Sequence, residues 1–399
     1  MSRKICFVSQ RYGLEVNGGA ELQCRQMAEQ LNAYYESIPG NDVKIEILTS
    51  KAVDYIRWKN EYKSDCEQIN GITVRRFDVE KERSMQEFAD INLKLSGGAL
   101  DKMADEYRWL ELQGPYTPKL IEYIRSHSSD YDVFIFMTYL YYPTVMGLPE
   151  VADKSILIPE AHDEPYLRMN MYRDVFMKAK AIFYNTQEER RLINIRFRNG
   201  SIKSELGGVG IEVTENADAD RFKQKYNLNN YIVYVGRIDQ AKGCAKLFED
   251  FIEYKKANNN DLKLVLMGKP AIDIPESGDI IALGFVSEED KFSGIKGAKA
   301  LVLPSEFESL SIVVLEAMSL KVPVIVNGAC DVVRGHCIKS NAGLYYYNYN
   351  EFEGSINYIL SHSREAGIMG LNGEKYVKEN YQWNIITEKL VKLIDYVKS

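Results

Sequence analysis

Two successive series of short β-branched or aromatic runs, each run followed by a helical pattern, constrain this chain more than any other feature. In the first half the runs are Lys4–Ser9, Val43–Thr49, Gly71–Phe77, Asp132–Met137, Ser155–Pro159 and Ala181–Tyr184. In the second half they are Tyr231–Gly236, Leu262–Gly268, Asp279–Leu283, Lys299–Leu303, Val322–Val326 and Gly343–Tyr347. Several are apolar almost without interruption, which fits strands covered on both faces. Alternation with helices predicts parallel sheets and right-handed connections. The expectation is an α/β chain with two doubly wound, Rossmann-like domains.

The 399 residues suffice for two cores, and 45% apolar composition excludes a disordered chain. Ser201 to Asp220 breaks the rhythm with Gly207, Gly208 and Gly210, and is predicted to connect the domains. The first domain is therefore placed at 1–205 and the second at 206–380. From Arg83 to Gln113 the pattern is helical, broken at Gly97-Gly98. A final helix carries apolar residues on one face at Trp383, Ile386, Leu390, Leu393 and Val397.

A formal charge of −7 argues against a dedicated nucleic-acid-binding protein, which needs a basic stripe. It leaves room for a small anion held by a few cations. The opening residues hold too short an uncharged run for a signal-peptide core. The longest uncharged run, Val133 to Pro149, falls short of the ~20 residues of a spanning helix, and its first half reads as a buried strand. The expected location is cytoplasmic, at most at the inner face of the membrane. Cys6, Cys24, Cys66, Cys244, Cys330 and Cys337 form no CxxC and are expected to be reduced, mostly buried thiols. The histidines show no metal-ligand spacing, and no metal site is predicted.

Ligands of doubly wound sheets lie at the carboxyl ends of the strands, so the loops there are the place to look. The first runs from Gln10 through Gly18-Gly19 into a helix. The glycines allow close approach of a ligand, and the helix start offers N–H groups to an anion. The spacing matches neither a dinucleotide fingerprint nor a P-loop, and a plain glycine-rich turn is an equal reading. The second, Gly236–Gly243, places Arg237 and Lys242 where a guanidinium and an ammonium can grip a diphosphate. Solvated surface charge is the bland alternative.

The third loop, Pro304 to Glu316, is the most specific. Glu308 sits in the loop and Glu316 more than a turn into an apolar helix beginning near Ser311. The two acids can accept hydrogen bonds from sugar or ribose hydroxyls, and the backbone N–H groups of Ser309, Leu310, Ser311 and Ile312 can receive a phosphate. Glu308 could equally be an acidic residue ahead of a helix. Glu316 is harder to explain away, since an unpaired carboxylate among Val314, Leu315, Ala317 and Met318 is costly. The fourth loop holds His162-Asp163. Neighbours in an extended segment point to opposite sides, so Asp163 does not orient His162. His162 is read as a hydrogen-bonding or charge-stabilising group, with helix capping as its competitor.

Taken together, the Gly18-Gly19 loop, His162-Asp163, the Arg237…Lys242 turn, the Glu308-x7-Glu316 signature and the Trp-bearing terminal helix resemble the retaining glycosyltransferases of family 4. The resemblance covers nearly the whole chain. It implies the GT-B fold, two Rossmann-like domains facing across a cleft: an acceptor-side domain, joined by a returning helix at 381–399, and a nucleotide-sugar donor domain. It implies that Glu316 holds the donor ribose and Glu308 a hydroxyl of the transferred sugar. Arg237 and Lys242 would neutralise the diphosphate, Gly18 and Gly19 would approach it, and His162 would face the anomeric centre. Family members commonly carry Gly-Phe-Gly after the first glutamate. Ser309-Leu310-Ser311 here keeps the backbone donors and adds side chains.

The implied activity is transfer of a hexose-type sugar from a UDP- or GDP-sugar to a hydroxyl of a glycan or lipid-linked acceptor, in cell-surface polysaccharide biosynthesis. No metal or other cofactor is expected. Other GT-B enzymes, a nucleotide-sugar epimerase or a phosphorylase, and a non-catalytic nucleotide-sugar-binding protein are the alternatives; nothing suggests the pyridoxal-binding lysine site of a phosphorylase. The stretch from Thr186 to Arg198 mixes arginines with apolar residues. It is compatible with peripheral membrane contact and reads better as an ordinary helix with a solvated face. Asp130-Tyr-Asp132 and Asp218-Ala-Asp220 do not follow strands and are read as chance Asp-x-Asp matches.

Overall fold

The computed structural model describes residues 3–16, 18–96 and 103–399. Gly97-Gly98, expected to break the helical segment after Arg83, lie outside the described residues; helices Met85–Ser96 and Met103–Gln113 flank them. The chain divides into two units, Met1–Val209 with Trp383–Ser399, and Gly210–Gln382.

The first unit carries β1 (Lys4–Val8), β2 (Lys44–Ser50), β3 (Cys66–Ile69), β4 (Ile72–Phe77), β5 (Val133–Met137), β6 (Ser155–Ile158), β7 (Ala181–Tyr184) and β8 (Lys203–Leu206). They form one eight-stranded sheet in the order β3-β4-β2-β1-β5-β6-β7-β8. Every residue of β5 is buried, as are those of β6 and β7. Each large apolar side chain so covered contributes about 2 kcal/mol, against the entropy of ordering it. The Trp383–Lys398 helix packs in this unit against β5 to β8 and the helix Gly19–Glu36. It buries Trp383, Ile386, Leu390, Leu393 and Val397, the face its sequence period marks.

Two features depart from expectation. β3 runs antiparallel to β4, so the sheet is not wholly parallel. The turn between them is Asn70-Gly71, with φ of 49° and 81°, a two-residue hairpin signature that the sequence carries openly. Second, Lys203–Leu206, expected to lie within the interdomain connection, is the edge strand β8 paired with β7. Its polar sequence suits an edge, where one side meets water.

The second unit carries β9 (Tyr231–Val235), β10 (Lys263–Met267), β11 (Ile280–Gly284), β12 (Leu301–Leu303), β13 (Val324–Asn327) and β14 (Gly343–Tyr346). All run parallel in the order β11-β10-β9-β12-β13-β14. In each sheet the winding reverses once along the parallel series, beside β1 in the first unit and beside β9 in the second. At such a point neighbouring loops run to opposite sides and leave a crevice at the carboxyl ends. The β1 loop leads to Gly18-Gly19. The β9 loop holds Arg237 and Lys242, and the β12 loop holds Glu308.

Two buried positions of the second unit are unusual. Ser311, the residue before helix Ile312–Ser319, has a left-handed backbone with φ of 65°. That conformation costs an L-residue with a side chain roughly 1 kcal/mol or more, which explains why glycine suits this position. His336, on helix Asp331–Ser340, is fully buried. Burial lowers its imidazole from an ordinary 6.5 to about 4, Lys339 adds to the fall, and a bond to the Leu310 backbone opposes it.

Ser311→Gly should therefore be neutral or stabilising by up to about 1 kcal/mol, whereas β-branched Ser311→Val should lose about 2 kcal/mol or more, both read from urea denaturation. For His336 the unfolded chain binds more protons than the folded one between the two pKa values. Stability from this group is full above pH 6.5 and lost as pH falls toward 4, on the order of 3 kcal/mol in all. Urea titrations at neutral and acidic pH should show His336→Gln losing less stability on acidification than the parent; equal losses would contradict the assignment.

Candidate active site

In the second unit the loops at the winding reversal are joined directly. Lys242 Nζ lies 2.7 Å from Glu308 Oε1, tying the β9 loop to the β12 loop. The approach is made close by Gly243, whose φ is 75° and whose missing Cβ would stand 2.7 Å from the Pro304 carbonyl. A side chain there would force the loops apart. Asn327, at the end of β13, donates its Nδ2 to the same Pro304 carbonyl at 2.9 Å. Three successive strand ends are thus laced together.

Asp239 organises the turn that carries the cations. Its carboxylate accepts from the Arg237 Nε, and its Oδ1 accepts from the Lys242 backbone N–H at 2.8 Å. Arg237 and Lys242 are accordingly oriented side chains, half-exposed at 45% and 34%. Glu308 is mostly covered.

Glu316 is buried on helix Ile312–Ser319, yet it has a partner: Lys291 Nζ, on helix Glu288–Gly297, stands 2.8 Å from its Oε1. Burial raises the Glu316 carboxyl above the ordinary range, and Lys291 pulls it back. The acid therefore keeps a cation beside it. Ser311 ends the loop with its hydroxyl buried and without a hydrogen-bond partner among the described residues. No side chain caps the first turn of the following helix, which leaves backbone donors at its start for an anion.

The first unit holds the remaining predicted residues. Gly18 is the cap of helix Gly19–Glu36 and offers no side chain to its first turn. A Cβ on Gly18 would lie 2.1 Å from Glu21 Oε2, whereas one on Gly19 would meet nothing within 4 Å among the described residues. Glycine at 18 is needed to admit a buried ion pair, Arg11 Nη2 to Glu21 Oε1 at 2.6 Å, to which Gln10 Nε2 adds a bond at 2.9 Å. His162, in the loop after β6, has its Nδ1 3.8 Å from Glu164 Oε1, while Asp163 is exposed. A carboxylate beside His162 is therefore that of Glu164, which accepts from the Tyr139 hydroxyl at 2.6 Å.

Asp239, Lys291, Arg11 and Glu21 had not been singled out in the sequence. Asp239 and Arg11 lie in the very loops that were, and their neighbours could have drawn attention to them. Lys291 is 25 positions from Glu316, with no motif to connect the two. The Asp-x-Asp matches have ordinary roles: Asp218 caps helix Ala219–Tyr226 by accepting from the N–H groups of Asp220 and Arg221 at 3.0 Å, and Asp130 ends a short 3-10 turn before β5. The Thr186–Arg198 stretch is the helix Gln187–Phe197, capped by Thr186 and burying Glu189, Ile193 and Phe197. Among the described residues no helix is long and apolar enough to cross a membrane.

Residues 216–376 match the family described as glycosyl transferases group 1. The chain is 26% identical over 234 residues to the capsular polysaccharide biosynthesis glycosyltransferase CapM of Staphylococcus aureus, covering 54% of this chain and 58% of that one. The match thus spans little more than half of that relative. Among solved structures, sucrose-phosphate synthase from Thermosynechococcus elongatus superposes with a TM-score of 0.71 at 17% identity over 98% of both chains. Anabaena HepE, solved with UDP and glucose, superposes with a TM-score of 0.69 at 14% identity over 98% of this chain and 99% of that one. Residues 216–376 of the second unit thus match a group 1 glycosyl transferase domain, and the chain has the GT-B fold of the structures it superposes on.

Proposed function

We propose that the protein transfers a hexose-type sugar from a nucleoside-diphosphate sugar to a hydroxyl of a glycan or lipid-linked acceptor, with retention at the anomeric carbon, in cell-surface polysaccharide assembly. The observation that carries this reading is the Lys242–Glu308 contact at the winding reversal, which sets a cation for phosphate beside an acid for a sugar hydroxyl. Arg237 and Lys242 neutralise the diphosphate, the backbone of Ser309, Leu310 and Ser311 receives a phosphate oxygen, and Glu316 accepts from the ribose. In the first unit, Gly18 and Gly19 form a loop that suits the close approach of a phosphate, and His162 is a group that suits a reacting sugar.

In this chemistry the bond from the anomeric carbon to the diphosphate oxygen breaks as the bond to the acceptor oxygen forms on the same face. The acceptor proton passes to the departing diphosphate. Fixed positive charge on the leaving group lowers the barrier, because it strengthens as negative charge develops there. Arg237 and Lys242 supply that charge in a metal-independent reaction. The role of CapM in capsular polysaccharide biosynthesis and the UDP and glucose bound by HepE support the choice of donor and product class.

The test begins with thermal shift of the purified protein against UDP-, GDP- and dTDP-sugars, followed by acceptor assays with the donor that binds. Arg237→Ala and Glu316→Ala should each weaken donor binding about tenfold or more by calorimetry; unchanged binding in both sinks the site. His162→Ala should lower kcat more than donor affinity. Gly19→Ala should leave the melting temperature unchanged, since beyond its chain neighbours the new methyl meets nothing within 4 Å among the described residues, and still reduce turnover.

A further inference from the structure

His336 is buried in the second unit with both ring nitrogens engaged. Nε2 is 2.9 Å from the Leu310 carbonyl oxygen, and Nδ1 is 3.1 Å from the Tyr376 hydroxyl. A carbonyl oxygen can only accept, so Nε2 carries the proton and Nδ1 accepts from Tyr376. With its own proton committed to His336, the Tyr376 oxygen accepts from the Tyr381 hydroxyl at 3.4 Å. The Tyr381 carbonyl in turn accepts from the Ile211 N–H at 2.7 Å. Both tyrosine rings meet the imidazole edge to face. Ile211 is the second residue of the unit and Tyr381 the last but one, the unit running Gly210–Gln382.

We propose that His336, through Tyr376 and Tyr381, is a positioning residue that holds the Glu308–Ser311 backbone in the shape that receives the donor diphosphate and ties that loop to both ends of the second unit. The inference rests on the function proposed above. The Leu310–Ser311 peptide is planar and trans, so drawing its carbonyl to the imidazole aims the Ser311 N–H the opposite way. A left-handed serine persists only where its surroundings over-determine it, and the Leu310 side chain, itself buried, and the His336 bond supply that restraint. Hydrogen bonds running in one direction polarise one another, which stiffens the whole series. His336 touches neither donor nor acceptor in this role; it acts through the loop.

The test uses His336→Leu, which removes both bonds, Tyr376→Phe, which removes one hydroxyl, and His336→Gln, whose amide can donate and accept in place of the imidazole. UDP, GDP and dTDP are the probes, by calorimetry well below the melting temperature. His336→Leu should lose about tenfold or more in affinity and Tyr376→Phe about threefold, with His336→Gln within about threefold of the parent. Amide exchange at residues 309–312 should quicken in the first two variants and recover in the third, a local signature that a purely structural histidine does not produce. Should His336→Leu not fold, Tyr376→Phe and the exchange rates decide. Folded variants that bind as the parent does, with unchanged exchange, overturn the relay and leave the donor site standing. A parent that binds none of the three diphosphates overturns the donor reading and this inference with it.

Discussion

Parallel strands can be joined only by crossovers, so in the second sheet every strand finishes on the same edge. That constraint gathers residues that are remote in sequence onto one row of loops. Reversal of the winding at β9 then separates two neighbouring loops enough to leave a crevice between them. The Lys242–Glu308 contact spans that crevice, and glycine at 243 lets the two loops approach. Without the shared edge, the turn after β9 and Glu308 after β12 would not meet.

Electrostatics at this edge are arranged as partnered charges. Arg237 is held by Asp239, Lys242 by Glu308, and Glu316 by Lys291. Each pairing offsets the cost of withdrawing a charge from water, which for a lone buried carboxylate would be several kcal/mol. The arrangement also orients side chains ahead of binding, so that less motion is frozen when a ligand arrives. The first unit uses the same device at Arg11–Glu21, where a buried pair stands behind the glycine loop.

Much of the fold was legible because period and composition act locally. Buried parallel strands read as apolar runs, and the five residues marked by the one-faced pattern of the last helix are all buried, together with Thr387 and Ile394. β8 escaped notice because an edge strand of four residues, Lys203–Leu206, can be polar and still pair. β3 escaped because Gly71 was placed at the start of the strand 71–77 instead of in the turn of a hairpin. Of the candidate residues, Lys242 and Glu308 were read from the loops after β9 and β12, and those two are brought together. Lys291 was not singled out, since nothing in its own neighbourhood marks it as the partner of Glu316.

The sequence by itself determined the alternation of strands and helices, the identity of the two cores, and the loops in which charge is concentrated. These follow from short-range hydrophobic period and turn chemistry, which each segment carries within itself. Only the tertiary structure decided which charges meet, which backbone is left-handed, and that a buried imidazole reaches the Leu310 carbonyl. Those outcomes depend on distances between segments far apart in the chain, and a distance of that kind exists only once the sheets have packed.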